Sequence, residues 1–167
     1  MVLMILSTLG FAFINNENSQ SLDKIEYNGV EFISNGDLWY FYIQDVEFAT
    51  RYNPEELNDV NFASYNSIQN YQNKPLYFVG ETGEHFFEID RNLRERFVLR
   101  INQACFVDEK CEGDFPVKNC SDNLIIFKIP NNENEKIYKE ENCVFIVANY
   151  TNHVKYADAF LFDILDI

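Results

Sequence analysis

The sequence predicts an α/β domain (α+β is the neighbouring possibility) over residues 25–167: a mixed sheet with an N-terminal antiparallel meander, helices packed on it, and disulfide staples. Three observations predict it. Short aromatic strands separated by tight-turn residues fill the stretch after residue 24. Uninterrupted apolar strands then alternate with helical patterns, the habit of a partly parallel sheet covered on its faces. Four cysteines, Cys105, Cys111, Cys120 and Cys143, are confined to the last third.

The elements follow in chain order. Lys24 to Ile33 carries Ile25, Tyr27, Val30 and Phe32 and reads as the first strand, with Asn28-Gly29 as a possible turn inside it. Ser34-Asn35-Gly36-Asp37 contains the Asn-Gly pair that a tight hairpin favours, because both residues tolerate positive φ. Leu38 to Ile43 is a dense aromatic strand, expected to pair on both sides because an exposed strand of that composition invites edge-to-edge aggregation. Val46 to Arg51 closes a three-stranded meander.

Asn53-Pro54-Glu55-Glu56-Leu57 reads as a helix start: Asn caps, Pro takes the first position, and two carboxylates face the positive end of the helix dipole. Phe62, Tyr65, Ile68 and Tyr71 suit a short helix over 62–73. Pro75 to Val79 is a buried strand. Phe86, Ile89, Leu93, Phe97, Ile101 and Ala104 form one apolar stripe and predict a helix over 86–104. Four of the five arginines lie there, Arg91, Arg94, Arg96 and Arg100. Asp90 with Arg94 and Arg91 with Glu95 are opposite-sign pairs one turn apart, so this reads as a solvated face rather than an anion site.

Residues 105–123 read as a cysteine-bearing loop, a length uncommon in a compact domain unless it is stapled or functional. Leu124 to Ile129 and Cys143 to Ala148 are buried strands. The last helix runs from about His153 to Leu165.

Composition limits the function. A net charge of −14, from 27 acidic and 13 basic residues, makes nucleic acid a poor partner, since binding it requires neutralising phosphates. The same charge disfavours docking on an anionic bilayer. Aromatic content of 16% argues against disorder. The 21 asparagines reflect A/T-rich codons, and the runs 15–18 and 131–135 are solvated loops.

Residues 1–14 carry no charge. Fourteen helical residues cover about 21 Å, short of the roughly 30 Å bilayer core, which suits the apolar centre of a secretory signal better than a full span. Gly10-Phe11-Ala12 offers small residues for cleavage, and the polar residues 15–24 read as a linker. The usual basic segment ahead of such an apolar centre is absent, so the alternatives are a signal or anchor segment truncated at its start, or a buried first strand or helix. A multi-span membrane protein is not expected.

The cysteine spacing C-x5-C-x8-C-x22-C has no zinc knuckle and no C-x-x-C pair, so two disulfides and an oxidising compartment are expected, with no metal. The pairing that fits the strands is Cys105 with Cys111 and Cys120 with Cys143. Cys120 lies just before the strand at 124 and Cys143 begins the next, so parallel neighbours bring both to one end of the sheet. Asn119-Cys120-Ser121 and Asn149-Tyr150-Thr151 are formal glycosylation sequons.

Known catalytic signatures are absent: no phosphate loop, no G-x-S-x-G, no H-E-x-x-H, no kinase set. His85 and His153 sit near predicted helix starts, where surface histidines are ordinary. Glu81, Glu84, Glu88 and Asp90 follow a strand's C-terminal end, where α/β folds place sites. Among so many acids, a solvated loop is the simpler reading. Asp108, Glu109, Glu112 and Asp114 lack the alternating ligands of a calcium loop. No catalytic residue, metal site or cofactor is assigned.

The run Ala104-Cys105, Cys111, Phe115 to Ile126, then Asn142 to Ile146, then Ala157 to Leu161 with the terminal Ile164-Leu165-Asp166-Ile167, resembles uncharacterised proteins of small-genome archaea, which look like exported or N-terminally anchored surface proteins. The likeness covers mainly the last 65 residues. It implies the cysteine framework and an outer-surface location, and it transfers no functional residue. The leading expectation is therefore an exported or anchored surface protein, a non-enzymatic structural or binding module with a protein or cell-surface partner. The alternatives are a carboxylate-based hydrolase with its site near Glu81 to Asp90, and an intracellular acidic subunit of a complex.

Overall fold

The computed structural model describes residues 22–62, 66–107, 109–111 and 113–167. The expectations for residues 1–14 and most of the linker, and for Tyr65, Asp108 and Glu112, lie outside these. The fold is mixed α/β, with an antiparallel meander, a mixed sheet, two helices and two disulfides.

The meander has four strands, β1 (Lys24–Tyr27), β2 (Val30–Ser34), β3 (Trp39–Ile43) and β4 (Val46–Thr50), paired in that order. One more strand than expected arises because Asn28-Gly29 does turn: Asn28 has φ 49° and Gly29 φ 80°. The aromatic β3 lies between β2 and β4. Phe32, Phe41 and Phe48 all point inward, as period-2 alternation requires.

The second sheet runs in spatial order β10–β11–β9–β5–β6, with β5 (Pro75–Val79), β6 (Arg100–Gln103), β9 (Leu124–Lys128), β10 (Lys136–Glu140) and β11 (Cys143–Val147). Four strands are parallel and β10 is antiparallel to β11. One face, with Leu76, Phe78, Ile125, Phe127, Val144 and Ile146, packs against helices α1 (Glu84–Leu93) and α2 (His153–Leu165). The opposite face, with Tyr77, Leu124, Ile126, Phe145 and Tyr138, is covered by Phe106 and Cys120. Burial on both faces is why β5, β9 and β11 read as unbroken apolar runs. The meander lies on the far side of the helices: Phe32 and Phe41 pack on Phe162 of α2, and β4 packs on α1.

Four expectations are corrected. The helix over 86–104 ends at Leu93. Glu95 takes a left-handed φ of 61°, which no helix continues through, and Arg100–Gln103 then alternates exposed and buried as strand β6. Phe97, Ile101 and Ala104 fit a helical stripe by spacing alone. The short helix over 62–73 is only a 3-10 turn at Ile68–Asn70, while Phe62 bridges to Ile137. The loop 105–123 contains a parallel pair, β7 (Cys105–Phe106) with β8 (Val117–Lys118). The helix start at Asn53 carries a full capping box but closes one 3-10 turn, Pro54–Leu57.

Both disulfides form as paired above. The Cα atoms are 5.8 Å apart in Cys105–Cys111 and 5.0 Å in Cys120–Cys143. The second bridge works because Cys143 pairs with Leu124 in adjacent parallel strands, the register the argument needed.

Candidate functional site

Two polar regions stand out, one inside the fold and one on its surface. The first lies at the carboxyl ends of β5, β9 and β11. The connection from β5 leads through α1 to β6 on one side, and that from β9 leads to β10 and β11 on the other. Adjacent strands whose connections diverge in this way form the switch point where open α/β sheets place sites. The chain passes closely here. Gly80 has φ 127°, and a Cβ on it would lie 3.3 Å from the Phe127 carbonyl oxygen, so both conformation and space favour glycine.

His85 and His153 begin α1 and α2 and meet with ring centroids 4.8 Å apart, both against Phe127. Both are buried, so the expectation of surface histidines is corrected. Each donates its Nε2 hydrogen to a backbone carbonyl, Glu81 for His85 and Ala148 for His153, each at 3.0 Å. That assigns the tautomer and leaves Nδ1 as the lone-pair atom. Burial pushes the His85 pKa down to about 4, with the neighbouring His153 adding to the shift. Burial also lowers His153. Both rings are therefore neutral near pH 7.

One turn further, Glu88 of α1 meets Asp158 of α2. Histidine meeting histidine and acid meeting acid shows that the helices run parallel. Asp158 Oδ2 accepts the backbone N–H groups of Arg51 and Tyr52, both at 2.9 Å. Its Oδ1 has no N–H donor and faces Glu88. Burial, and then the negative charge of Glu88, hold the Asp158 pKa well above the carboxylate range. Burial also raises Glu88, against the pull of Arg91, which donates to its Oε2. Asn92 completes the seam: its Nδ2 donates to Ala49 O at 2.8 Å and its Oδ1 accepts from Ala49 N–H at 2.9 Å.

The acids singled out in the sequence do not converge. Glu81 is exposed, Glu84 reaches Arg51 at 3.0 Å, Glu88 turns inward, and Asp90 takes Arg94 Nε at 2.6 Å. Arg91 pairs with Glu88 rather than Glu95, because Glu95 has left the helix. Glu109 pairs with Lys128 at 2.8 Å. Among the described residues no group of three or more His, Cys, Asp or Glu is placed to hold a metal, and no helix is long and apolar enough to cross a membrane.

Asp158 and Asn92 were not among the residues singled out from the sequence. Their signal was an acid and an amide on otherwise apolar helix faces. Asp158 stands alone in Tyr156-Ala157-Asp158-Ala159-Phe160-Leu161-Phe162, every residue of which is buried.

The second region is the outer face of the meander. Alternation sends Tyr40 and Tyr42 of β3 outward, beside Ile33 of β2 and Glu47 of β4. With Leu22, Val30, Glu31 and Asn35 they line a shallow hollow of about 420 Å³. Tyr42, 58% exposed, donates its hydroxyl to Glu47, and that bond raises its pKa. Glu26 and Glu31 stand directly opposite each other across β1 and β2, an unfavourable like-charge pair that Lys24, 3.4 Å from Glu31, only partly offsets.

No protein-family model matches the chain, and no curated protein or solved structure matches it.

Proposed function

We propose that this chain is an exported or surface-anchored binding module that works without chemistry of its own. The observation that carries the reading is the pair of disulfides, one of them fastening two central strands at their amino ends. Such bridges form and persist outside the reducing cytosol. The dispersal of Glu81, Glu84, Glu88 and Asp90 weighs against the hydrolase reading, as does the depth at which the Glu88–Asp158 pair is buried.

The outer face of the meander supplies the binding surface. The exposed ring of Tyr42, the half-buried ring of Tyr40 and three glutamates, Glu26, Glu31 and Glu47, with only Lys24 among them, suit a segment rich in Lys and Arg. Cations stack on tyrosine rings and are steered by acidic surroundings. The test is fractionation of the source cells with protease added to intact cells. The proposal expects the chain outside the cytosol and open to protease. Recovery only in the cytosolic fraction contradicts it.

A further inference from the structure

We infer that Asn119 is a glycan acceptor, modified on its side-chain nitrogen by an oligosaccharide carried on a polyprenyl phosphate or diphosphate. This rests on the exported reading above. Both sequon asparagines, Asn119 and Asn149, are exposed. Only one has its hydroxyl partner in place. At Asn119 the Ser121 N–H donates to Oδ1 at 2.9 Å and the Ser121 hydroxyl donates to the same oxygen at 2.6 Å. An N–H faces an acceptor, so the atom it meets is the oxygen and not the amide nitrogen. Nδ2 is therefore turned out of the turn, with no hydrogen-bond partner among the described residues. The hydroxyl that defines the sequon lies against the carboxamide here.

The turn is held from all sides. Asp122 N–H donates to Asn119 O at 3.0 Å, Asn142 N–H donates to Cys120 O at 3.2 Å, and Cys120 is bridged to Cys143. Asn149 differs. Thr151 is wound into the 3-10 turn Tyr150–Asn152 that leads into α2, and it makes no bond to Asn149, whose N–H is held by Glu135 Oε1 at 2.6 Å. The two sites thus form an internal comparison.

The reaction balances without an oxidant or reductant. Asn119 Nδ2 attacks C1 of the first sugar, the N–C1 bond forms, and the C1–O bond to the carrier phosphate breaks. The polyprenyl phosphate leaves with the electron pair, and the displaced amide proton passes to a base of the transferase. The glycan then covers the amino end of β9 beside the Cys120–Cys143 bridge, a bulky, solubilising cover at the surface.

The test secretes the full chain behind a foreign cleavable leader from cells that hold an oligosaccharyltransferase, and reads intact and glycopeptide mass. The expected result is a glycan on the peptide containing Asn119, lost in Asn119→Gln and in Ser121→Ala, restored in Ser121→Thr and retained in Asn149→Gln. Circular dichroism and intact bridges confirm that each variant is folded. A secreted, bridged chain with bare Asn119, or a glycan found at Asn149 instead, overturns the inference. The same chain behind its own N-terminus separates the two claims. If that version stays inside the cell while the leader-borne one is glycosylated at Asn119, the exported reading fails and the acceptor geometry stands.

Discussion

Asp158 and His85 are buried side chains whose contributions to stability change with pH in opposite directions. Asp158 has a folded pKa raised above its ordinary value of 3.8, so the folded state binds the proton more tightly than the unfolded chain. Its contribution is fully present at low pH and is lost as pH climbs from about 4 toward the raised folded value. His85 runs the other way: its pKa falls from 6.5 to about 4, so stability is lost as pH drops through that window. Thermal melts across pH check both. Asp158→Asn keeps an acceptor for the Arg51 and Tyr52 N–H groups and supplies a donor toward Glu88. It is expected to match or exceed the parent at pH 8 and to flatten the decline at high pH. His85→Phe is expected to reduce the loss between pH 6.5 and 4, with His153 accounting for what is left. Unchanged slopes in both variants contradict the assigned charge states. Neither role was legible in the sequence, because spacing places a residue on a helix but does not say that a second helix lies against that face.

At the scale of elements, the exposed groups of β4 are closed by side chains rather than by another strand. Glu47 O takes Arg96, Ala49 N and O take Asn92, and Arg51 N takes Asp158. This is one way to keep an edge from recruiting another chain. Asn92→Ala strands the Ala49 N–H, while Ala49 O keeps Arg91 Nη2 at 2.8 Å, and is expected to cost about 1–3 kcal/mol, with some loss of monomer, read by denaturant titration and light scattering. A loss below about 0.5 kcal/mol contradicts the capping role. The Cys120–Cys143 bridge closes a loop of 23 residues in sequence separation. Replacing both cysteines with serine is expected to cost about 3 kcal/mol and to lower the midpoint by roughly 10 °C in a chain of this size. The meander, β5, β9, β11 and α2 were legible because their apolar patterns are long and clean. Strand β10 was not, since Lys136, Lys139 and Glu140 on an edge strand leave too little apolar pattern to mark it. Strand β6 was hidden inside a false helical stripe that only the left-handed turn at Glu95 interrupts.

At the scale of the whole molecule, the layers are meander, helices, mixed sheet and bridged loop, and among the described residues no element covers the outer meander face. If that face takes a cationic segment, Tyr42→Ala and Glu47→Gln each weaken binding of a Lys/Arg-rich peptide by about tenfold. Loss of a partly desolvated cation–π contact of that kind amounts to roughly 1–2 kcal/mol. Raising salt weakens binding further, while substitutions at the distant acids Glu109 and Asp114 leave it unchanged. Equal losses at both places reduce the effect to net charge. The candidate site was half legible: aromatic alternation marked β3, but its outward tyrosines, the opposed Glu26 and Glu31, and the hollow they border depend on strand register. An oxidising compartment for the bridged fold is the proposal on which the rest depends. It is tested most directly by isolating the chain from its own cells with thiols alkylated at lysis and mapping peptides without reduction. The account predicts Cys105 joined to Cys111, Cys120 joined to Cys143, and no alkylated cysteine. Four alkylated cysteines contradict it.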